Sequence, residues 1–290
     1  MDQSIALTVG LPVALAIIML GLGLSLTPDD FKRVLTYPKA VIVALFCQVV
    51  LLPALCFGLC YVFALPPELA VGMLLLAASP GGTSANLYSH LAHGDVALNI
   101  TLTAINSVLA IVTLPLIVNG ALLHFFNDGQ VLPLQFDKIL QVFAIVLVPV
   151  IVGMILRHKA PGFAHRMDKP VRAFSLIFLF AVVILVAVTQ WKVLLGSLGA
   201  IGGAVLVFNL LSLGVGYVVP RLVGINAKQA TAIGMEIGIH NSTLSMAIAM
   251  SPVLLNSPQM ALPSAVYGGL AFITAALFGM LVSKQAQRAG

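Results

Sequence analysis

The sequence predicts an all-α membrane protein of nine transmembrane helices. Its composition, the length of its apolar runs and the placement of its bases carry that expectation. Of 290 residues, 60% are hydrophobic and only 8% charged, far from the make-up of soluble domains. The apolar runs recur at the length, about 20 residues, that a bilayer crossing needs. The spans expected are 5–27, 40–63, 68–92, 96–125, 139–156, 173–190, 195–219, 229–255 and 263–283.

Each run has its own grounds. The first follows Met1-Asp-Gln-Ser, which lacks the positive leader of a secretion signal, and is too long for a signal core. It is therefore expected to remain as a membrane helix. The second follows Lys39 and carries Cys47, Gln48, Cys56 and Cys60. The last two are one helical turn apart, which suits small packing residues and fits neither a disulfide framework nor a zinc site. The third and eighth are interrupted, as described below. The fourth holds Asn99, Thr103 and Asn106 on one helix face. A longer link, 126–138, then separates four spans from five. The fifth ends at Arg157, the sixth follows Arg172, the seventh ends near Arg221, and the ninth ends at Lys284.

If the N-terminus lies outside, twelve of the fourteen Lys and Arg residues fall on the cytoplasmic side and only Lys138 and Lys192 outside. That split follows the positive-inside rule. The net charge of +5 is then a consequence of topology, and no nucleic-acid partner is expected.

In the third run the apolar stretch 69–79 stops at Ser79-Pro80-Gly81-Gly82-Thr83-Ser84. Eleven helical residues reach only about 16 Å. Pro80 removes a backbone donor, Gly81 and Gly82 favour non-helical geometry, and Thr83 and Ser84 are suited to cap a second half-helix. In the eighth run, Gly238 and Asn241-Ser242-Thr243 interrupt in the same way. Unwound backbone at membrane depth survives only where it is buried in protein or lines a cavity. If the first half lacks an opening helix, both breaks fall at position four of a five-helix unit, and the two spans run in opposite directions. That is the pattern of an inverted repeat, 1–125 and 139–283, whose discontinuous helices meet near the midplane to bind substrate and coupling ions.

Glu236 is the one acidic residue deep inside an apolar run. A charge there costs roughly 2.5–3.5 kcal/mol on insertion scales, so such residues face a bundle interior and mark an ion or substrate path. The hydroxyl and amide oxygens of Asn99, Thr103, Asn106, Gln48 and Asn86 suit a small hard cation; interhelical hydrogen bonding is the plainer role for such groups. Asn209 has no such context and reads as structural. Glu236 and His240 stand at i, i+4 and could face one another to relay a proton. Without an H-E-x-x-H pattern, enzymatic metal chemistry is not expected.

Four stretches resemble the bile acid:sodium symporter family: Gly21-Leu-Gly-Leu-Ser-Leu-Thr-Pro-Asp-Asp-Phe31, Cys47-Gln48 followed by Pro53, Ser79-Pro-Gly-Gly-Thr-Ser-Ala-Asn86, and Glu236-Ile-Gly-Ile-His-Asn-Ser242. The resemblance implies a core domain (spans 40–125 and 195–283) beside a panel domain (5–27 and 139–190), with the broken helices crossing in the core. It implies import of an organic anion coupled to sodium, the anion being bile acid-like, pantoate or a 2-oxo acid. One sodium site would use Asn86, Asn99, Thr103 and Glu236. The second would use Gln48, Glu236, the carbonyls of Ile237 and Ile239, and position 240. Substrate would meet the half-helix ends near Thr83 and Asn241. Ala85 stands where the family commonly has serine, Asn99 replaces a hydroxyl, and His240 replaces a glutamine whose amide oxygen would serve the second site. No cofactor, enzymatic activity or obligatory protein partner is expected. The rival readings are proton coupling through Glu236 and His240, and a membrane sensor that binds without transporting. The cell membrane is the expected location, with the C-terminus cytoplasmic.

Overall fold

The computed structural model describes residues 2–126, 136–252 and 254–288, so most of the link expected at 126–138 lies outside the described residues. Within them the protein is all-helical, with no strand. α1 (Asp2–Ser25) turns through 69° into the short α2 (Pro28–Lys32). α3 (Pro38–Phe46) runs through a π turn at Cys47–Leu51 into α4 (Leu52–Val62). Then come α5 (Pro67–Ala78), α6 (Thr83–Leu91), α7 (Val96–Phe125), α8 (Phe136–Lys159), α9 (Pro161–Thr189) and α10 (Trp191–Leu222). α11 (Ala227–Gly238), α12 (Ser242–Met250) and α13 (Pro258–Arg288) complete the chain.

Among the described residues five helices are long and apolar enough to cross a membrane, and a sixth if α1 and α2 form one bent span. The exposed faces of α8, α9 and α10 carry large apolar side chains such as Ile151, Ile177, Phe180 and Leu210, which suit contact with lipid. This is an integral membrane protein.

The short helices are the most buried. Every residue of α5 from Leu69 to Ala78, of α11 from Ala230 to Gly238, and of α12 from Leu244 to Met250 is buried. Pieces buried on every side are stable only when other helices enclose them. α5 lies against α4, α7 and α13, α11 against α6, α7 and α10, and α12 against α13. α1 packs on α8 and α9. The α1–α8 contact is intimate because Gly23 and Gly153 face one another, and a Cβ on Gly153 would come within 2.8 Å of the Gly23 backbone.

The π turn is dictated locally. Pro53 has no N–H to donate, and Leu52 N–H reaches back to the Cys47 carbonyl. Such turns cluster at functional sites, and this one carries the buried Gln48.

Candidate functional site

The two helix breaks abut. Gly81 and His240 form an isolated antiparallel bridge, and Asn241 N–H donates to the Pro80 carbonyl at 2.9 Å. Backbone groups freed by one break are thereby satisfied by the other, which is how non-helical chain persists inside an apolar core.

Gly81 serves close approach. No positive φ occurs at Gly81, Gly82 or Gly238, and Gly224 is the positive-φ glycine among the described residues. Gly81 and Gly82 are non-helical, as expected, but Gly82 is extended (φ −107°, ψ 176°), a conformation open to any residue. A Cβ on Gly81 would lie 2.5 Å from the Glu236 carbonyl and 2.6 Å from its carboxylate, whereas one on Gly82 meets nothing nearer than Asn241 Nδ2 at 4.0 Å. Gly238 is confined by Leu213. If the Glu236 carboxylate holds a cation, Gly81→Ala should weaken its binding by about tenfold or more, the scale of a 1–3 kcal/mol overpacking strain, while Gly82→Ala should change it little. Titrating cation-dependent thermal stabilisation of both purified variants checks this; equal effects would mean that contact with Glu236 is not what fixes Gly81.

The cap expectation is corrected. Gly82 is the N-cap of α6 and offers no side chain, so Thr83 is the first helical residue and not the cap. The side chain of Thr83 lies outside the described residues. In the second break Asn241 is the cap, its Oδ1 accepting from Leu244 N–H at 3.0 Å.

Glu236 is fully buried beside α7. Thr103 Oγ1 donates to Oε2 at 2.6 Å, Asn106 Nδ2 to Oε1 at 3.3 Å, and the Gly81 N–H also donates to the carboxylate. No ion pair involves it among the described residues. Asn99 Nδ2 donates to the Ala232 carbonyl at 2.7 Å, one turn below. Four amide oxygens in this region, Gln48 Oε1, Asn86 Oδ1, Asn99 Oδ1 and Asn106 Oδ1, are buried without a donor among the described residues. Unsatisfied buried acceptors are rare and each demands an explanation. Several acceptors with no donor beside an unpaired carboxylate favour a cation. Asn99 and Asn106 are seven residues apart, about 10 Å along the helix, so one ion would not be held by both.

His240 and Glu236 do not form the i, i+4 pair that a continuous helix would give, because α11 ends at Gly238. The His240 Nδ1 lies 3.1 Å from the Ser79 carbonyl, which can only accept, so Nδ1 carries the proton. Nε2 faces Ser212 Oγ at 3.5 Å, and the ring stacks on Phe208 with Tyr267 edge-on. Gln48 shares the same acceptor, its Nε2 donating to Ala77 and Ser79 carbonyls at 3.1 and 3.2 Å.

Two polar residues gain a role that the sequence did not disclose. Asn209 Nδ2 and Tyr267 Oη both donate to the Gly238 carbonyl, at 3.1 and 2.8 Å, which fixes the end of α11. The flanking residues Ile237 and Ile239 are buried.

Beside the two abutting breaks lies a cavity of about 210 Å³, between α1, α9 and α13, onto which α6 and α12 open. Its polar lining is Ser84, Ser175, His240, Asn241, Ser242 and Thr243. Since Asn241 Oδ1 is occupied as a cap, its Nδ2 remains as a donor, and the buried Ser242 Oγ has no partner among the described residues. Among the described side chains no Lys or Arg lines this cavity.

Residues 12–197 match the model of the sodium bile acid symporter family. The chain belongs to the sodium bile acid symporter family. It is 33% identical over 262 residues to YocS of Bacillus subtilis (strain 168), named as an uncharacterised sodium-dependent transporter, covering 88% of this chain and 77% of that protein. It is 28% identical over 262 residues, 88% of the chain, to BASS1 of Arabidopsis thaliana, named as a probable chloroplastic sodium/metabolite cotransporter, and spans 62% of its length. With the ileal sodium/bile acid cotransporter of Oryctolagus cuniculus it shares 26% over 247 residues, 84% of the chain and 70% of that protein. The sodium bile acid symporter family is one of sodium-dependent transporters, not of enzymes.

Proposed function

We propose that this protein is a secondary transporter that imports a small organic anion with sodium, by alternating access. The unpaired, fully buried Glu236 among donor-less amide oxygens carries the reading. A carboxylate and several neutral oxygens are the ligands a hard monovalent cation prefers. Asn86, Asn99, Thr103 and Glu236 would hold one sodium. Gln48, Glu236, the carbonyls of Ile237 and Ile239 and position 240 would be the second locus. His240 supplies no oxygen there, so the second locus is weakened.

The anion would occupy the 210 Å³ cavity, where α6 and α12 begin. Helix N-termini present free N–H groups and favour negative charge. Asn241 Nδ2, Ser242 Oγ and the first turn of α6 at Thr83 would receive its carboxylate. The cavity is smaller than the roughly 300–1,000 Å³ of drug-sized ligand sites, which favours a pantoate- or 2-oxo-acid-sized substrate over a bile acid.

Nine spans would arise if α3–α4, α5–α6 and α11–α12 each cross as one interrupted or continuous unit. They would form inverted repeats 1–125 and 139–283, with the broken pairs crossing near the midplane. α1, α8 and α9, which pack on one another, would be the panel (5–27 and 139–190), and the spans within 40–125 and 195–283 the core. The cavity's position between them supports rocking of one against the other. The N-terminus would lie outside and the C-terminus in the cytoplasm, in the cell membrane, with no obligatory protein partner.

The test is uptake of isotope-labelled organic anions into proteoliposomes, with sodium, lithium or a proton gradient as the sole driving ion. Sodium-driven accumulation of a small monocarboxylate is the expected result. Accumulation that follows the proton gradient alone would transfer coupling to Glu236 as a titrating group, and binding without accumulation would make the protein a sensor.

A further inference from the structure

A second polar concavity lies far from the helix breaks, at the end of α1, α8 and α9 where basic residues gather. It is an open crevice of about 480 Å³. The α1–α2 corner contributes Thr27 and Asp29, the end of α8 contributes Arg157 and His158, and the start of α9 contributes His165. The two acids of the corner already have their own cations. Asp29 lies 2.9 Å from Lys32 Nζ, and Asp30 pairs with Arg33 while also accepting from Thr27 N–H and Oγ1. Arg157 has no ion pair among the described residues, and neither histidine has one.

A guanidinium without a counter-ion, walled by two imidazoles, calls for an anion with several acceptor oxygens, and a phosphate ester matches its planar fork. The surroundings favour a lipid as its source. Ile151 and Ile155 on α8 and Phe163 on α9 are exposed and lie within about two helical turns of Arg157, His158 and His165 in sequence, so the helices that form the crevice also carry apolar surface near this end. A free phosphate would make no use of that surface, whereas acyl chains would lie along it. Basic pockets between membrane helices at the cytoplasmic end are a recognised setting for anionic headgroups.

We infer that the crevice formed by Arg157, His158 and His165 binds the phosphodiester headgroup of an anionic phospholipid from the adjoining leaflet. The headgroup would bridge the α8–α9 link to the α1–α2 corner. Since all three helices belong to the same packed group, the lipid would hold that group as a unit while the rest of the protein moves.

Native mass spectrometry of the protein released from nanodiscs of phosphatidylcholine mixed with phosphatidylglycerol tests this, without reference to transport. Wild type should retain phosphatidylglycerol preferentially. Arg157→Ala should lower that preference about fivefold, the equivalent of ~1 kcal/mol for one cation at an anionic surface, His165→Ala should lower it less, and Arg157→Lys should restore part of it. Lys159→Ala, an exposed base that does not line the crevice, should leave it unchanged. A loss in Lys159→Ala equal to that in Arg157→Ala would overturn the site in favour of diffuse surface charge. Retention unaltered in Arg157→Ala would overturn it outright, and full displacement by soluble glycerol 1-phosphate would assign the crevice to a free phosphoester.

Discussion

Glu236→Gln is expected to abolish sodium-driven uptake while leaving the protein inserted and folded. The substitution keeps shape and removes charge. Thr103 and Asn106 both donate to the carboxylate, and the glutamine oxygen can still accept from one of them. A cation held as proposed would, by contrast, lose its one charged ligand. At an effective dielectric of about 20, unit charges ~4 Å apart attract by about 4 kcal/mol, so the sodium affinity should fall by roughly a thousandfold. Folding should suffer far less, because an unpaired carboxylate with no ion is itself costly to bury. Thermal melting of Glu236→Gln without sodium should therefore equal or exceed that of wild type, and sodium should no longer raise it. Sodium-dependent stabilisation that survives in Glu236→Gln would remove the carboxylate from the cation site. Uptake that survives unchanged would remove it from coupling altogether.

How much of this was legible in the sequence depends on the range of each signal. The break at residues 79–82 could be read from Pro80 and its neighbours, and Glu236 from its isolation in an apolar run, because each is a strong local departure. Reading Gly81 and Gly82 as non-helical positions was right, but it missed what fixes Gly81. Gly81 is small because the Glu236 side chain and backbone, 155 residues away, lie against it, and no local pattern reports such a contact. Pairing Glu236 with His240 applied helix spacing across a break that the same stretch of sequence already announced. Asn209 is structural, as its lack of polar context suggested, but what it and Tyr267 hold remained hidden, because a lone amide and a lone phenol in apolar helices look alike whether they join two helices or hold a third. Their shared acceptor, the Gly238 carbonyl, is a backbone atom with no sequence signature. The π turn at Cys47–Leu51 was within reach, since Pro53 denies the preceding turn a normal hydrogen bond.

The membrane potential should add little or nothing to accumulation of a monovalent anion by the wild-type protein, and His240→Gln should make it contribute. One sodium with one monovalent anion is electroneutral, whereas two sodium ions carry one net positive charge inward. The potential then supplies about 2.3 kcal/mol per 100 mV, roughly fiftyfold in accumulation. The proposed second locus would draw on position 240, and the imidazole there is held in a form unfit for sodium. Nδ1 is occupied by the Ser79 carbonyl, the ring is stacked on Phe208, and Nε2 is a nitrogen rather than an oxygen. Gln48 Oε1 remains without a donor nearby, so an amide oxygen restored at 240 would act with it rather than alone. Proteoliposomes held at a set potassium diffusion potential read both quantities together. Wild type should show a sodium Hill coefficient near one and accumulation indifferent to the potential. In His240→Gln both the coefficient and the voltage dependence should rise. A wild-type coefficient near two that the substitution leaves unchanged would mean that the second ion is held without position 240, by carbonyls and Gln48 around an imidazole that merely packs.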